Sequence, residues 1–119
     1  MIRQFTSKTQ QIGLQGEDLA VAFLMKHGFK IIERNVHSRN GEIDIIAKKN
    51  KIHHFFEVKT SQQGSWFNPA ENLTKEKLWK LYRAVQYYAL VKRIKRYKIQ
   101  GILVFVGAGE PKVEIIELT

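Results

Sequence analysis

The first regular pattern of hydrophobic and polar positions along the chain is helical, and it runs roughly from Gln11 to His27. Apolar residues recur there every three to four positions, a spacing that gathers them on one face of a helix. Gly28 follows as a residue type that commonly ends a helix. A first helix is therefore expected, and its apolar face includes one acid: Leu14, Glu17, Ala20, Val21 and Leu24.

A second helical pattern occurs in the stretch "WFNPAENLTKEKLWKLYRAVQYYALVKRIK", for which Thr74 is a plausible N-cap. Apolar residues fall on one side of this stretch, while Lys80, Arg83 and Tyr87 fall opposite, so we expect a long amphipathic helix. The apolar positions are Leu78, Leu81, Tyr82, Val85, Tyr88 and Ala89.

Five other stretches are rich in Ile, Val and Phe, as is typical of strands. One is "FKIIERNVH", two lie within "GEIDIIAKKNKIHHFFEVKT", and two surround a Gly/Pro turn in "YKIQGILVFVGAGEPKVEIIELT". Three strands in succession favour a meander. The expected order is helix, three strands, helix, two strands, which is an α/β chain.

The second and third strands are close enough in sequence to form a hairpin with a definite register. If Asp44 lies opposite Glu57, paired positions sum to 101 and the loop is Asn50 with Lys51; a slip of one pair is the alternative. Asn tolerates the positive φ that two-residue hairpin turns require. Alternation then divides the side chains between two faces. One face carries Glu42, Asp44, Phe55, Glu57 and Lys59, and the other carries Ile43, Ile45, Phe56 and Val58.

The opposed acids of this hairpin have a simple explanation as part of a solvated sheet face. Like charges directly opposite nevertheless destabilise a sheet, by roughly a few tenths to 1 kcal/mol. Bound Mg²⁺ or Mn²⁺ would reverse this effect, because Asp44 and Glu57 become ligands, with the carbonyl of Val58 as a third and water in the remaining positions. Lys59 on the same face would hold or deprotonate an attacking water and offset charge on a phosphate. The set predicts hydrolysis of a phosphodiester bond.

Glu17 lies in the middle of the apolar face of the first helix, where an unpaired carboxylate is costly to bury. Two interpretations are open. Glu17 reaches water at the helix edge or pairs with a lysine, or it is a further acid at the metal site, as a water-mediated ligand or as a ligand of a second ion.

The composition narrows the class of protein. At 119 residues with 44% hydrophobic residues, the chain is expected to form a single domain, residues 1–119. Neither a long apolar run nor a signal-peptide pattern is present, so no membrane association is expected and the cytoplasm is the expected location. The sequence has no cysteine, which excludes disulfides and thiolate metal sites. His53 and His54, as neighbours on a strand, point to opposite faces and do not favour a shared zinc ion.

The charge of the chain favours a polyanionic partner, and nucleic acid is the first candidate. The net charge is +9, and the stretch from Glu71 to Lys98 alone holds nine basic and two acidic residues. The second helix would present a surface that follows a phosphate backbone, although a solvated helix face is the alternative. Trp66 and Phe67 would stack on unpaired bases or cap the core. The basic residues expected to contact nucleic acid are Lys75, Lys77, Lys80 and Arg83.

The stretch "GLQGEDLAVAFLMKHGFKIIERNVHSRNGEIDIIA", followed by "FFEVKT", resembles the YraN-like family of small, largely uncharacterised bacterial proteins. Asp44 and the triplet Glu57-Val58-Lys59 resemble the core motif of PD-(D/E)XK nucleases, and the helix carrying Glu17 is similar to that of archaeal Holliday junction resolvases. The resemblance implies a restriction-endonuclease-like fold, with a mixed central sheet flanked by helices. It also implies Asp44 and Glu57 as metal ligands, Lys59 as the catalytic lysine and Glu17 as an accessory acid.

Two positions depart from the family's pattern. Thr60 stands where family members more often have Arg, which bears on a phosphate contact, and Gln100 stands near a position where a strand Asp is often found. Gln86 resembles a helical glutamine that some related nucleases place near the active site, and it is a candidate accessory residue.

Together these features predict a Mg²⁺- or Mn²⁺-dependent endonuclease-like protein acting on DNA, with branched or flapped DNA among the candidate substrates. A non-catalytic nucleic-acid-binding module with the same fold is the alternative, and a structural or adaptor protein with a scaffold metal site is a third class. The resemblance to junction resolvases also suggests a homodimer, because two symmetric strands need two cuts.

Overall fold

The computed structural model describes residues 7–62 and 73–118, and these residues form a five-stranded sheet with two helices. The predicted α-β-β-β-α-β-β order is confirmed, and with it the α/β class. The elements are α1 (Lys8–Lys26), β1 (Lys30–Ser38), β2 (Gly41–Lys49), β3 (Ile52–Gln62), α2 (Lys75–Lys92), β4 (Tyr97–Val106) and β5 (Lys112–Glu117).

Side-chain caps determine where the two helices begin. The hydroxyl of Ser7 accepts a hydrogen bond from the Gln10 amide at 3.1 Å, so α1 begins earlier than its apolar pattern predicts. Thr74 is the N-cap of α2, as predicted, and its hydroxyl accepts from the Lys77 amide at 3.3 Å. Neither helix in the described part of the chain has the length and hydrophobicity needed to span a bilayer.

The strands lie in the sheet in their order along the chain, from β1 to β5. The first three form the predicted antiparallel meander, β3 pairs in parallel with β4, and β4 pairs antiparallel with β5. A parallel neighbour requires a crossover, and α2 supplies it. This mixed sheet flanked by helices is the architecture that the resemblance to the restriction-endonuclease-like core implies.

The two helices pack against opposite faces of the sheet. Neighbouring residues of β3 show this, because Phe56 packs with Ala20 and Leu24 of α1 whereas Phe55 packs with Leu81 and Val85 of α2. Both phenylalanines are fully buried. The central strands are therefore apolar on both faces, as expected of strands that are covered on two sides.

The predicted hairpin register is confirmed. Pairs run from Lys49–Ile52 to Ile45–Phe56, all summing to 101, and both Asn50 and Lys51 adopt the positive φ of a two-residue hairpin turn. The ladder ends at Ile45–Phe56, one position before Asp44 would face Glu57.

The predicted division of β2 side chains between two faces is wrong at Ile43. It packs in the α2 cluster, whereas Ile45 packs in the α1 cluster, although alternation would give them the same face. The adjoining strand β1 changes face at the same level: Arg34 bonds to Asp18 of α1, while Val36 packs on the α2 side. Asn35 between them has a φ of 53°, a left-handed conformation that bends a strand and that Asn adopts more readily than most residues. The sheet therefore bends at the level of Asp44.

Candidate active site

An open cleft of about 490 Å³ lies where β2 separates from β3, and α1 forms its other wall. It brings together Glu17, Asp44, Glu57 and Lys59, the four residues that the sequence predicts to be catalytic. We call this the acidic cleft. The residues that line it are Ile12, Gly13, Glu17, Glu42, Asp44, Glu57, Val58, Lys59, Thr60, Ser61 and Gln62.

The Asp44 side chain takes over a backbone hydrogen bond where the β2–β3 ladder ends. With the register continued, Val58 would face Ile43, and a strand carbonyl would accept its amide. Instead, Asp44 Oδ2 accepts the Val58 N–H at 2.7 Å. The N–H and C=O of an extended residue point toward the same neighbouring strand, so the Val58 carbonyl also faces the opening beside Asp44. The predicted third ligand is therefore next to the first.

The acidic cleft is electrostatically unfavourable for Asp44 as a carboxylate. Burial is the largest cause, and together with repulsion from Glu57, Glu17 and Glu42 it raises the pKa of Asp44 to about 8, although the hydrogen bond from the Val58 N–H opposes the shift. The four acids therefore lie close enough to repel one another through a partly desolvated space. A bound cation would remove this repulsion.

Glu57 and Lys59 form an ion pair, with 3.3 Å between Oε1 and Nζ. Both side chains are largely buried, at 19% and 24% exposure, which keeps the lysine ammonium at the acids and limits its contact with bulk water. Two residues apart on β3, they share one face, as the period of a strand requires. The lysine is thus held where it can contact an anion that enters the cleft.

Gly16 allows α1 to approach β3 closely beside the cleft, a role that the sequence interpretation missed. A Cβ on Gly16 would overlap the Thr60 hydroxyl and lie 2.7 Å from the Thr60 Cβ. A glycine inside a helical pattern is the signal that could have revealed this contact. The approach places Glu17, the next residue, at the cleft. Thr60, the departure from the family's pattern, is the residue that α1 contacts here.

The basic residues proposed for nucleic acid lie outside the acidic cleft. Lys75, Lys77, Lys80 and Arg83 are exposed on α2, and none of them lines the cleft in the described part of the chain. One of them contacts the β1–β2 turn. There Arg83 donates to Asn40 at 3.4 Å.

The remaining candidates also lie elsewhere. Gln86 is exposed on α2 and does not line the acidic cleft. His54 is buried and forms a hydrogen bond with Gln100 at 2.7 Å, and Gln100 in turn donates to Glu117, so Gln100 links a buried histidine to an exposed acid. Trp66 and Phe67 lie outside the described residues.

The donor set of the acidic cleft fits a hard cation held by few protein ligands. Within residues 7–62 and 73–118, no three His, Cys, Asp or Glu side chains converge closely enough to hold a metal ion. Two carboxylates, Asp44 and Glu57, and the Val58 carbonyl are nevertheless adjacent. Mg²⁺ is commonly bound in proteins through one or two carboxylates while it keeps several waters, and this set meets that requirement.

The comparisons with known proteins give a family without an assigned activity. A model of the uncharacterised protein family UPF0102 matches residues 16–106, a stretch that contains all four predicted catalytic residues. A UPF0102 protein from Campylobacter hominis is 39% identical over 110 residues, which cover 92% of this chain and 94% of that protein. UPF0102 proteins from Nitratiruptor sp. and Clostridium perfringens are 44% and 43% identical, over 82% and 76% of this chain and 85% and 75% of theirs.

Among solved structures, the chain is similar to a protein of unknown function from Silicibacter pomeroyi. The two are 15% identical with a TM-score of 0.38, and the match covers 95% of this chain and 74% of that one. A similarity at this level does not indicate a function.

Proposed function

The chain belongs to the uncharacterised protein family UPF0102, the YraN-like family, and from the acidic cleft we propose that it is a Mg²⁺- or Mn²⁺-dependent endonuclease that hydrolyses phosphodiester bonds in DNA. The observation that carries this proposal is the meeting of Glu17 from α1, Asp44 from β2 and both Glu57 and Lys59 from β3 in one open cleft. Helix α1 and the two strands of the hairpin supply the set, and the cluster is costly to the fold without a cation.

Each residue has a distinct part in this proposal. Asp44, Glu57 and the Val58 carbonyl would hold the ion, which when bound supplies a Lewis acid for the phosphoryl oxygens and a water of lowered pKa. Lys59 contacts the non-bridging oxygens of the phosphate and stabilises the charge that develops there. Glu17 orients water from the α1 side of the cleft.

Cleavage of a DNA panel tests the proposal. Duplex, single-stranded, flap and four-way-junction DNA, each incubated with Mg²⁺, Mn²⁺ or EDTA, are expected to show cutting only with a metal. Asp44→Asn is expected to lower the rate at least about a hundredfold, because it removes a ligand charge while it keeps an oxygen for the Val58 amide. DNA binding by the variant is expected to stay intact.

Asp18→Asn is the matched control, because it makes the same chemical change one residue from Glu17 but outside the cleft. Asp18 is exposed and pairs with Arg34 at 2.9 Å, so its loss affects a surface ion pair of small energetic value. The control is expected to cut like the unmodified protein. Cutting by Asp44→Asn at the same rate as the control would exclude the proposed mechanism.

A non-catalytic nucleic-acid-binding module is the second candidate. It is favoured by one observation, that the carboxylates of the acidic cleft share a space without three of them converging on a point in the described residues. This candidate predicts DNA binding that depends on salt and no cutting of any substrate in the panel. An adaptor role predicts neither binding nor cutting.

A further inference from the structure

A second cleft, of about 580 Å³, lies at the other end of β3, and its rim is basic. The hairpin turn contributes one lysine, the last residue of α2 a second, and the α2–β4 connection the other cations. We call it the basic cleft. Its positively charged residues are Lys51, Lys92, Arg93, Lys95 and Arg96.

The cations of the basic cleft have no acidic partner in the described part of the chain, although Lys92 lies over the Tyr88 ring. None of the five forms an ion pair within the part of the chain that the structure describes. Glu33 is the one acid among the lining residues described, and its Oε1 accepts a hydrogen bond from the Tyr88 hydroxyl at 3.0 Å. Five like charges around one concave surface attract anions and raise their local concentration there.

The first half of α2 differs from the basic cleft because some of its cations have polar partners. Lys80 pairs with Glu76 at 3.6 Å, and Arg83 donates to Asn40, so two of the four cations there are already engaged. The basic cleft combines concavity with unpaired charge, which focuses the electrostatic field more strongly than a convex helix does.

The size and the apolar floor of the basic cleft indicate what kind of anion it fits. A pocket of this volume accommodates a drug-sized ligand, which corresponds to a few nucleotides of one strand. Ile32, at 41% exposure, and the Tyr88 ring supply apolar surface between the charges, and Lys92 Nζ lies 5.8 Å from the centre of that ring. Cations that follow a backbone, beside surfaces on which bases or sugars rest, characterise single-strand binding.

The two clefts lie toward opposite ends of β3, and different helices line them. Helix α1 forms a wall of the acidic cleft and α2 a wall of the basic cleft, and these helices cover opposite faces of the sheet. Along β3, His53 at the basic cleft and Glu57 at the acidic cleft are four residues apart, about 13 Å at the rise of a strand. A flexible single strand held at the basic cleft can span this distance to the acidic cleft.

We propose that the basic cleft binds the phosphate backbone of a single-stranded segment of the nucleic acid, with Lys51, Lys92 and Lys95 among its contacts. This inference rests on the proposed function for the identity of the polymer. It adds a second binding site for the substrate, at a distance from the bond that is cut. Binding at this cleft needs no divalent metal, since its ligands are cations.

Anisotropy of a short fluorescent oligothymidylate, measured in EDTA, tests the inference. Lys92→Gln/Lys95→Gln is expected to weaken binding roughly tenfold at about 50 mM salt and to reduce the salt slope by about one to two. The control Lys30→Gln/Lys112→Gln removes the same charge from exposed positions outside both clefts and is expected to retain the affinity. Thermal unfolding of both variants verifies that each is folded.

Three outcomes would overturn the inference. The two double variants would bind alike, a blunt duplex of equal length would bind as tightly as the oligothymidylate, or micromolar ATP at constant ionic strength would displace the strand. Asp44→Asn in the same assay separates this inference from the proposed function, because it is expected to bind normally. If the unmodified protein cuts DNA but does not bind the oligothymidylate, the result counts against the basic cleft alone. If it binds the oligothymidylate but does not cut DNA, the result counts against the acidic cleft alone.

Discussion

Asp44 combines a structural and a chemical role in one side chain. Its Oδ2 accepts the Val58 amide that a strand carbonyl would otherwise take, and its charge is repelled by the neighbouring acids. Part of this was predictable, because the hairpin arithmetic places Asp44 near Glu57. The bend at Asn35 that opens the ladder was not predicted, since a single asparagine in a strand pattern does not show which φ it adopts.

The stability of the metal-free protein is expected to increase in Asp44→Asn, and the increase is expected to depend on pH. The folded-state pKa of Asp44 is about 8, against 3.8 for an ordinary Asp, so the folded protein binds a proton that the unfolded chain releases between these values. This group therefore lowers stability as pH rises from about 4 to about 8. The variant lacks that loss, and we expect it to be more stable at pH 8 by roughly 1–3 kcal/mol.

Urea unfolding of both proteins in EDTA across this pH range checks the prediction. The difference in unfolding free energy between Asp44→Asn and the unmodified protein should be small near pH 4 and should grow toward pH 8. A difference that does not change with pH would show that Asp44 is not a buried, repelled carboxylate.

At the scale of elements, the contact between α1 and β3 determines the width of the acidic cleft. Gly16 and Thr60 touch so closely that no larger residue fits at position 16, and Glu17 follows directly. The sequence predicted that a helix carries Glu17 toward the sheet. It did not predict how closely the helix approaches, because that distance depends on which β3 residue lies beneath the glycine.

Gly16→Ala is expected to destabilise the protein by about 1–3 kcal/mol, because the new methyl overlaps Thr60 and either α1 or β3 must shift. Gly13→Ala is the matched control in the same helix, since a Cβ there meets nothing within 4 Å and alanine favours the helix by roughly 0.5–1 kcal/mol. Chemical denaturation of the two variants should give opposite signs. Equal effects would show that α1 does not pack closely on Thr60.

At the scale of the whole molecule, acids and bases are segregated between two clefts in a protein of net charge +9. The acidic cleft is lined in part by α1 and the basic cleft by α2, toward opposite ends of β3, so the two sets of charges lie apart. The expected homodimer, the cytoplasmic location and the DNA partner stay predictions.

Divalent cations are expected to stabilise the folded protein, because the acidic cleft exists only when the strands and α1 are assembled. With Mg²⁺ or Mn²⁺ at a hundred times its dissociation constant, the gain is about 2.7 kcal/mol. The midpoint of thermal unfolding should therefore rise with added metal in the unmodified protein and in Asp18→Asn. It should rise little in Asp44→Asn, and an equal rise there would place the cation elsewhere.

The sequence by itself determined the elements and their order, the hairpin register and the identity of the acids, because these follow from local periodicity and from turn residues such as Asn50. Only the tertiary structure decided that Ile43 turns toward α2 and that Gly16 lies against Thr60. It also decided that Lys51 lies in the same cleft as the cations at the C-terminal end of α2. These features depend on distances between segments far apart in the chain. Local pattern carries no information about such distances, whereas packing of the two helices on opposite faces of the sheet determines them.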